Sequence, residues 1–197
     1  MAALDIDPAE VQSVFDANVY SVMKLCKAFA PQLIAAQGTI VQTGSLAGIM
    51  PYVFGSAYNA SKAALHAYSD TLRVELAPLG VRVVTVVTGG VKSNLARVHR
   101  TLPENSYYLP LATEYEGRLT HSQNLGMDTK TYARDCVRQV LEGDGWLAKK
   151  RWVWAGKMSW VVWFAWFFLP KAVLDWYMQL TFKLDILKGT AGAKKRV

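Results

Sequence analysis

Val11, Val14, Phe15, Val19, Val22, Leu25 and Phe29 recur at spacings of three and four, which predicts a long amphipathic helix over 8–36. Asp7-Pro8-Ala9-Glu10 opens it: Asp7 caps, Pro8 suits the first helical position, and Glu10 completes a capping box. Pro31 and Gly38 are expected to punctuate its end. Thr39-Ile40-Val41-Gln42-Thr43 then reads as a short buried strand that closes at Gly44-Ser45. After a loop rich in Gly, Pro and aromatics, the pattern predicts a helix from Ser56 to Leu76, stopped by Pro78 and Gly80. Val81 to Val87 is a second apolar strand leading into Thr88-Gly89-Gly90-Val91-Lys92-Ser93. Strand, helix and strand at this length imply a parallel pair with a crossover helix, hence an α/β fold. Residues 95–127 lack strong periodicity and read as a mobile, substrate-side segment. Asp128 to Leu141 reads as a helix capped by Asp128, and Arg151 to Gly156 as a third strand.

At 197 residues, 52% hydrophobic and 19% charged, the chain has enough apolar material for one sizeable core, which excludes a disordered protein. The net charge of +7 is uneven. Much of the excess lies after residue 146, in Lys149-Lys150-Arg151, Lys157, Lys171 and Lys194-Lys195-Arg196. All seven tryptophans fall between Trp146 and Trp176. Cations around a Trp/Phe cluster point to a membrane surface, and no nucleic-acid motif is present. Cys26 and Cys136 have neither metal nor redox spacing and read as small buried hydrophobes in a reducing compartment. The acidic start, Met1 to Asp7, lacks the long apolar run of a signal peptide.

The candidate chemistry sits in Gly44-Ser45-Leu46-Ala47-Gly48 and Tyr58-Asn59-Ala60-Ser61-Lys62. Tyr58 and Lys62 are four residues apart and share a helix face. A lysine cation beside a phenol lowers the phenol's pKa, and a hydroxyl facing the pair can polarise a carbonyl. Together the three residues make a proton-transfer site for carbonyl–alcohol chemistry. Tyr58 and Lys62 alone also read as packed helix residues; Ser45 at the end of a strand makes the pattern specific. His66, His99 and His121 show no ligand spacing and read as satisfied polar or surface residues, so no metal is expected. Asn59-Ala60-Ser61 is a glycosylation sequon, but modification inside the proposed helix conflicts with folding.

These motifs resemble the short-chain dehydrogenase/reductase family, closely over residues 1 to about 95 and more loosely beyond. The resemblance implies the C-terminal part of a Rossmann-like, doubly wound parallel sheet. It implies Tyr58 as general acid, Ser45 as the hydrogen-bond donor to the substrate carbonyl, and Lys62 on the nicotinamide-ribose hydroxyls. Asn18 matches the family's helix asparagine, which anchors a water beside the lysine. Read without the family, Asn18 is only a mid-helix polar residue. In the turn after the second strand, Thr88 stands for the family's proline and Ser93 for its threonine. Val91 and Ser93 are thereby expected at the cofactor carboxamide. The expected cofactor is NADP(H), and the substrate a small carbonyl or alcohol.

The family's glycine-rich phosphate turn and its Asn-Asn-Ala-Gly turn are both absent from the sequence. Counted against the family, the chain starts just before the fourth helix, missing the first strands and helices, and is expected to expose an apolar sheet edge and face. Three explanations stay open: an oxidoreductase, an inactive remnant that pairs with an intact relative, or a misassigned start. Family members pair through helices corresponding to 8–36 and 56–76, so a dimer through these is expected.

Residues 1–156 are expected to form the partial catalytic domain and 157–197 an aromatic, basic segment that meets a membrane or serves as a lid. Met158 to Pro170 carries no charge, yet thirteen helical residues span only about 20 Å. That favours a wedge in one leaflet over a span of the roughly 30 Å hydrocarbon core. With this tail the chain resembles fungal NADPH-dependent acyl-dihydroxyacetone phosphate reductase-like members of the family. That resemblance implies the cytoplasmic side of the endoplasmic reticulum membrane or a lipid droplet, or alternatively the cytoplasm, with a lipid-like or polyketide-like substrate.

Overall fold

The computed structural model describes residues 1–93, 100–142 and 151–189, with 119–125 as backbone alone. The expectations for His99, Trp146, Lys149, Lys150 and the basic tail lie outside the described residues, as does the side chain of His121.

The first helical stretch is α1 (Pro8–Phe15), a π-helical turn (Asp16–Tyr20) and α2 (Ser21–Ala35). Asp7 caps α1 by accepting from Ala9 N at 2.9 Å. Pro31 lies inside α2 and does not end it. It forgoes one backbone bond while the flanking turns hold. The helix stops four residues later, where Gln37 turns left-handed at φ 47° and Gly38 N bonds Leu33 O at 2.8 Å.

Strands β1 (Thr39–Thr43), β2 (Arg82–Thr88) and β3 (Trp152–Ala155) form a parallel sheet in that order. Between β1 and β2 runs α3 (Ser56–Leu76), a crossover helix with the predicted bounds. β2 is the central strand, and Val84 and Val87 within it are fully buried. Below β2 and β3 packs α5 (Thr129–Leu141), with Tyr132, Cys136 and Val140 against Val84, Val86, Val153 and Ala155. Asp128 caps α5 through Thr131 N.

β1 departs from its reading as a buried strand. Its Gln42 side chain is buried and meets Ser69 of α3 and Cys26 of α2. Val41, on the opposite face, is 47% exposed. The physical reason is placement: β1 is an edge strand, and the packing of α5 is confined to β2 and β3.

Residues 95–127 also depart from expectation, because α4 (Ala112–Leu125) is helical. Its composition is mostly polar, so no apolar stripe announced it. Beyond β3, α6 (Ser159–Phe168) and α7 (Lys171–Thr181) form two short helices separated at Leu169-Pro170. Ten residues of α6 rise about 15 Å. No described helix is long and apolar enough to cross a membrane. Val162, Ala165, Leu174, Met178 and Phe182 pack into one cluster with Met50, Phe54 and Tyr115, so this segment walls the loop between β1 and α3.

Candidate active site

Parallel strands put all their carboxyl ends on one sheet edge, the edge where α/β proteins place their ligands. Ser45 follows β1 there, and Val91 and Ser93 follow β2. Ser45 is extended (φ −158°, ψ 151°), and its Oγ accepts from Ala47 N at 3.1 Å, capping the short turn Leu46–Gly48. Its own N–H donates to Nε2 of His66 at 3.1 Å. Gly44 is required by the same contact, since a Cβ there would lie 2.3 Å from His66 Nε2.

Tyr58 lies in the first turn of α3, with the Ser45 side chain near enough to favour its ionised form. Burial pushes its pKa above the usual phenol value; the Ser45 hydroxyl and the Arg118 cation pull the other way and lose. This corrects the expectation that Lys62 makes Tyr58 a ready phenolate. Lys62 Nζ stands 5.8 Å from the centre of the Tyr58 ring and donates to Thr43 O at 2.9 Å, while burial lowers its own pKa. The protonated phenol is thus the favoured state, the state a general acid needs.

Asn18 sits in the π-helical turn, and its Nδ2 donates to Ser61 Oγ at 3.0 Å. Ser61 in turn donates to Tyr58 O at 2.8 Å. Asn18 therefore reaches α3 at the residue next to Lys62, not at the lysine itself.

The turn after β2 is tied on two sides. Gly90 N donates to Lys157 O at 2.9 Å, Lys157 N donates to Gly90 O at 3.1 Å, and Lys92 N donates to Met127 O at 2.9 Å. Thr88, in place of the family's proline, exchanges a hydrogen bond with Tyr132 OH at 2.8 Å.

Two residues escaped the sequence reading. His66, taken as scattered, is buried, lies against Trp152 (5.2 Å between ring centres) and holds Ser45. Its burial, with Lys62 nearby, depresses its pKa to about 4 despite Asp70. The available signal was the spacing 58, 62, 66, one helix face. The other is Arg118, whose guanidinium lies 5.2 Å over the Tyr52 ring. It comes from a distant helix, and nothing in the sequence announced it.

The donor set fits the nicotinamide end of a dinucleotide. Lys62 has three N–H groups and one is used on Thr43, so two remain for ribose hydroxyls. Tyr58 stands beside it. No residue of the 197 supplies the glycine-rich turn that would hold the phosphates.

A parallel sheet whose carboxyl edge carries a serine and a tyrosine beside a half-buried lysine fits an α/β oxidoreductase of the dinucleotide-binding class. The profile of the family described as short chain dehydrogenase matches residues 1–102. Short-chain dehydrogenase srdE of Neurospora crassa is 41% identical over 201 aligned positions, covering 100% of this chain and 68% of that protein. The NADPH-dependent 1-acyldihydroxyacetone phosphate reductase of Saccharomyces cerevisiae is 36% identical, covering 98% of this chain and 65% of that protein. A crystal structure of a short-chain dehydrogenase from Streptomyces avermitilis superposes with a TM-score of 0.66 at 24% identity, covering 96% of this chain and 66% of that one, and shows the shared fold. The chain belongs to the short-chain dehydrogenase family, whose members are oxidoreductases that use a nicotinamide cofactor. It spans about two thirds of the length of these relatives.

Proposed function

We propose that the chain carries the proton-transfer machinery of an NADP(H)-dependent reduction of a ketone to an alcohol, on a lipid-like or polyketide-like substrate. The observation that carries this is the grouping of the Ser45 hydroxyl with Tyr58, whose ring centre lies 5.8 Å from Lys62 Nζ. When bound, the cofactor supplies a hydride to the carbonyl carbon. Tyr58 gives its proton to the carbonyl oxygen, and Ser45 donates a hydrogen bond to the charge developing there. Lys62 orients the ribose, and the turn that carries Val91 and Ser93 meets the carboxamide. NADP(H) is favoured by the Saccharomyces relative, whose name is NADPH-dependent. The groove lined by Ile49, Met50, Trp166 and Leu174 favours a greasy substrate.

The test is NADPH consumption with a panel of aliphatic ketones by the chain and its Tyr58→Phe variant. Turnover that falls at least about 100-fold in the variant is expected. Equal rates in both would overturn the reading.

A second reading, an inactive remnant that pairs with an intact relative through 8–36 and 56–76, is favoured by the exposure of Leu25 and Phe29 (56% each) on α2. Sedimentation as a monomer at micromolar concentration, alone and with a full-length relative, counts against it.

Membrane contact belongs to the same proposal. Trp160, Phe164, Phe167 and Phe168 form an exposed aromatic face on α6, and Lys157 and Lys171 flank that helix. The face fits the cytoplasmic surface of the endoplasmic reticulum or a lipid droplet. Failure to float with anionic liposomes would sink this part.

A further inference from the structure

Among the described residues, no carboxylate acts on the Arg118 cation. Its Nε is buried without a hydrogen-bond partner. Nη2 lies 2.7 Å from the place a Cβ would take on Gly55, the residue that precedes α3. The start of α3 has no side-chain cap and bears the positive end of the helix dipole. The charged and titratable groups acting on Arg118 are Tyr52, Tyr115, Tyr58 and Arg100, with no carboxylate among them.

The nearby carboxylates are engaged elsewhere: Glu114 with Lys183 at 2.9 Å, Glu10 with Arg100 at 2.8 Å, and Asp5 accepting from Ser106 at 2.6 Å. The Tyr52 ring offsets part of the charge but leaves the in-plane N–H donor unused. Asn59 Oδ1, 2.8 Å from the same Cβ position, is also buried and unpartnered. An unpartnered buried donor and an unpartnered buried acceptor thus crowd one glycine, one helical turn before Tyr58.

The geometry points to Arg118 as the residue that selects an anionic substrate, with a carboxylate or phosphate oxygen on its guanidinium and a hydroxyl or water on Asn59 Oδ1. This rests on the reading of Ser45, Tyr58 and Lys62 as the carbonyl site. Arginine suits the task because its fork of donors matches both oxyanions. A neutral ketone of equal length leaves the guanidinium uncompensated and binds more weakly.

The probes are monohexyl phosphate, hexanoate and neutral hexanol, titrated into the 15N-labelled chain. Affinity and the Arg118 Nε–H resonance are followed, the latter assigned by its loss in Arg118→Gln. At least one anion binds about tenfold more tightly than hexanol and shifts that resonance; which anion wins separates a phosphate from a carboxylate substrate. Arg118→Gln abolishes the preference, and Arg118→Lys keeps part of it. Equal affinities for all three probes, or a preference that survives in Arg118→Gln, overturns the inference. If the glutamine variant does not fold, an unmoved Nε–H in the parent chain with saturating anion has the same force. Tyr58→Phe separates the two readings: anion preference persists in it even if the catalytic reading fails.

Discussion

The backbone N–H of Ser45 donates to Nε2 of His66 across 3.1 Å, so a histidine on α3 fixes the orientation of the serine after β1. The bond needs the neutral imidazole, because a protonated ring has no acceptor.

That requirement makes stability depend on pH. Burial depresses the His66 pKa to about 4 from its ordinary 6.5, so between these values the unfolded chain binds more protons. The contribution is fully present above 6.5 and is lost as pH falls towards 4. Its ceiling is about 3 kcal/mol. Urea midpoints at pH 7, 5.5 and 4.5 should fall in that order, and His66→Phe should flatten the fall.

Ser45 pulls the Tyr58 pKa down against burial. Ser45→Ala should therefore raise it further, while also lowering turnover by about 100-fold through loss of an oxyanion donor. A 13Cζ-tyrosine NMR titration reads the first effect. A Tyr58 resonance that titrates at lower pH in the variant would contradict it.

Gly89 packs against β3's exit so closely that a Cβ would lie 2.2 Å from Lys157 O, a backbone atom that cannot swing aside. Gly89→Ala should cost about 2–4 kcal/mol in chemical denaturation. Gly117→Ala is the control, because no described residue lies within 4 Å of its added Cβ.

Trp160 is 67% exposed and, among the described residues, stacks only on Trp163. The double variant Trp160→Ala, Phe168→Ala should change folding stability by less than about 0.5 kcal/mol. Liposome binding should nonetheless fall at least about tenfold if the face meets lipid. Loss of stability with unchanged flotation would reverse the assignment.

Strand–helix–strand order was legible because β2 and α3 are long and their apolar spacing is strict. The site was legible where chemistry follows chain order: Ser45 at a strand end, Tyr58 and Lys62 on one helix face. The exposed side of β1 was not, since the run Thr39 to Thr43 looks alike whether or not a helix lies beneath it. Lys62's effect on Tyr58 was misjudged because spacing gives a shared face but not which atoms meet: the cation faces the ring and bonds Thr43 O. Arg118 stayed hidden because its approach to Gly55 depends on the packing of α4, which has no periodic signature.

Lys157 joins two parts of the molecule. Its backbone is hydrogen-bonded in both directions to Gly90, and it stands two residues before α6. Force applied to the aromatic helix therefore has a short, stiff path into the Val91–Ser93 turn. Slower amide exchange at Gly90 on adding liposomes would register that mechanical link at the far end of the lever.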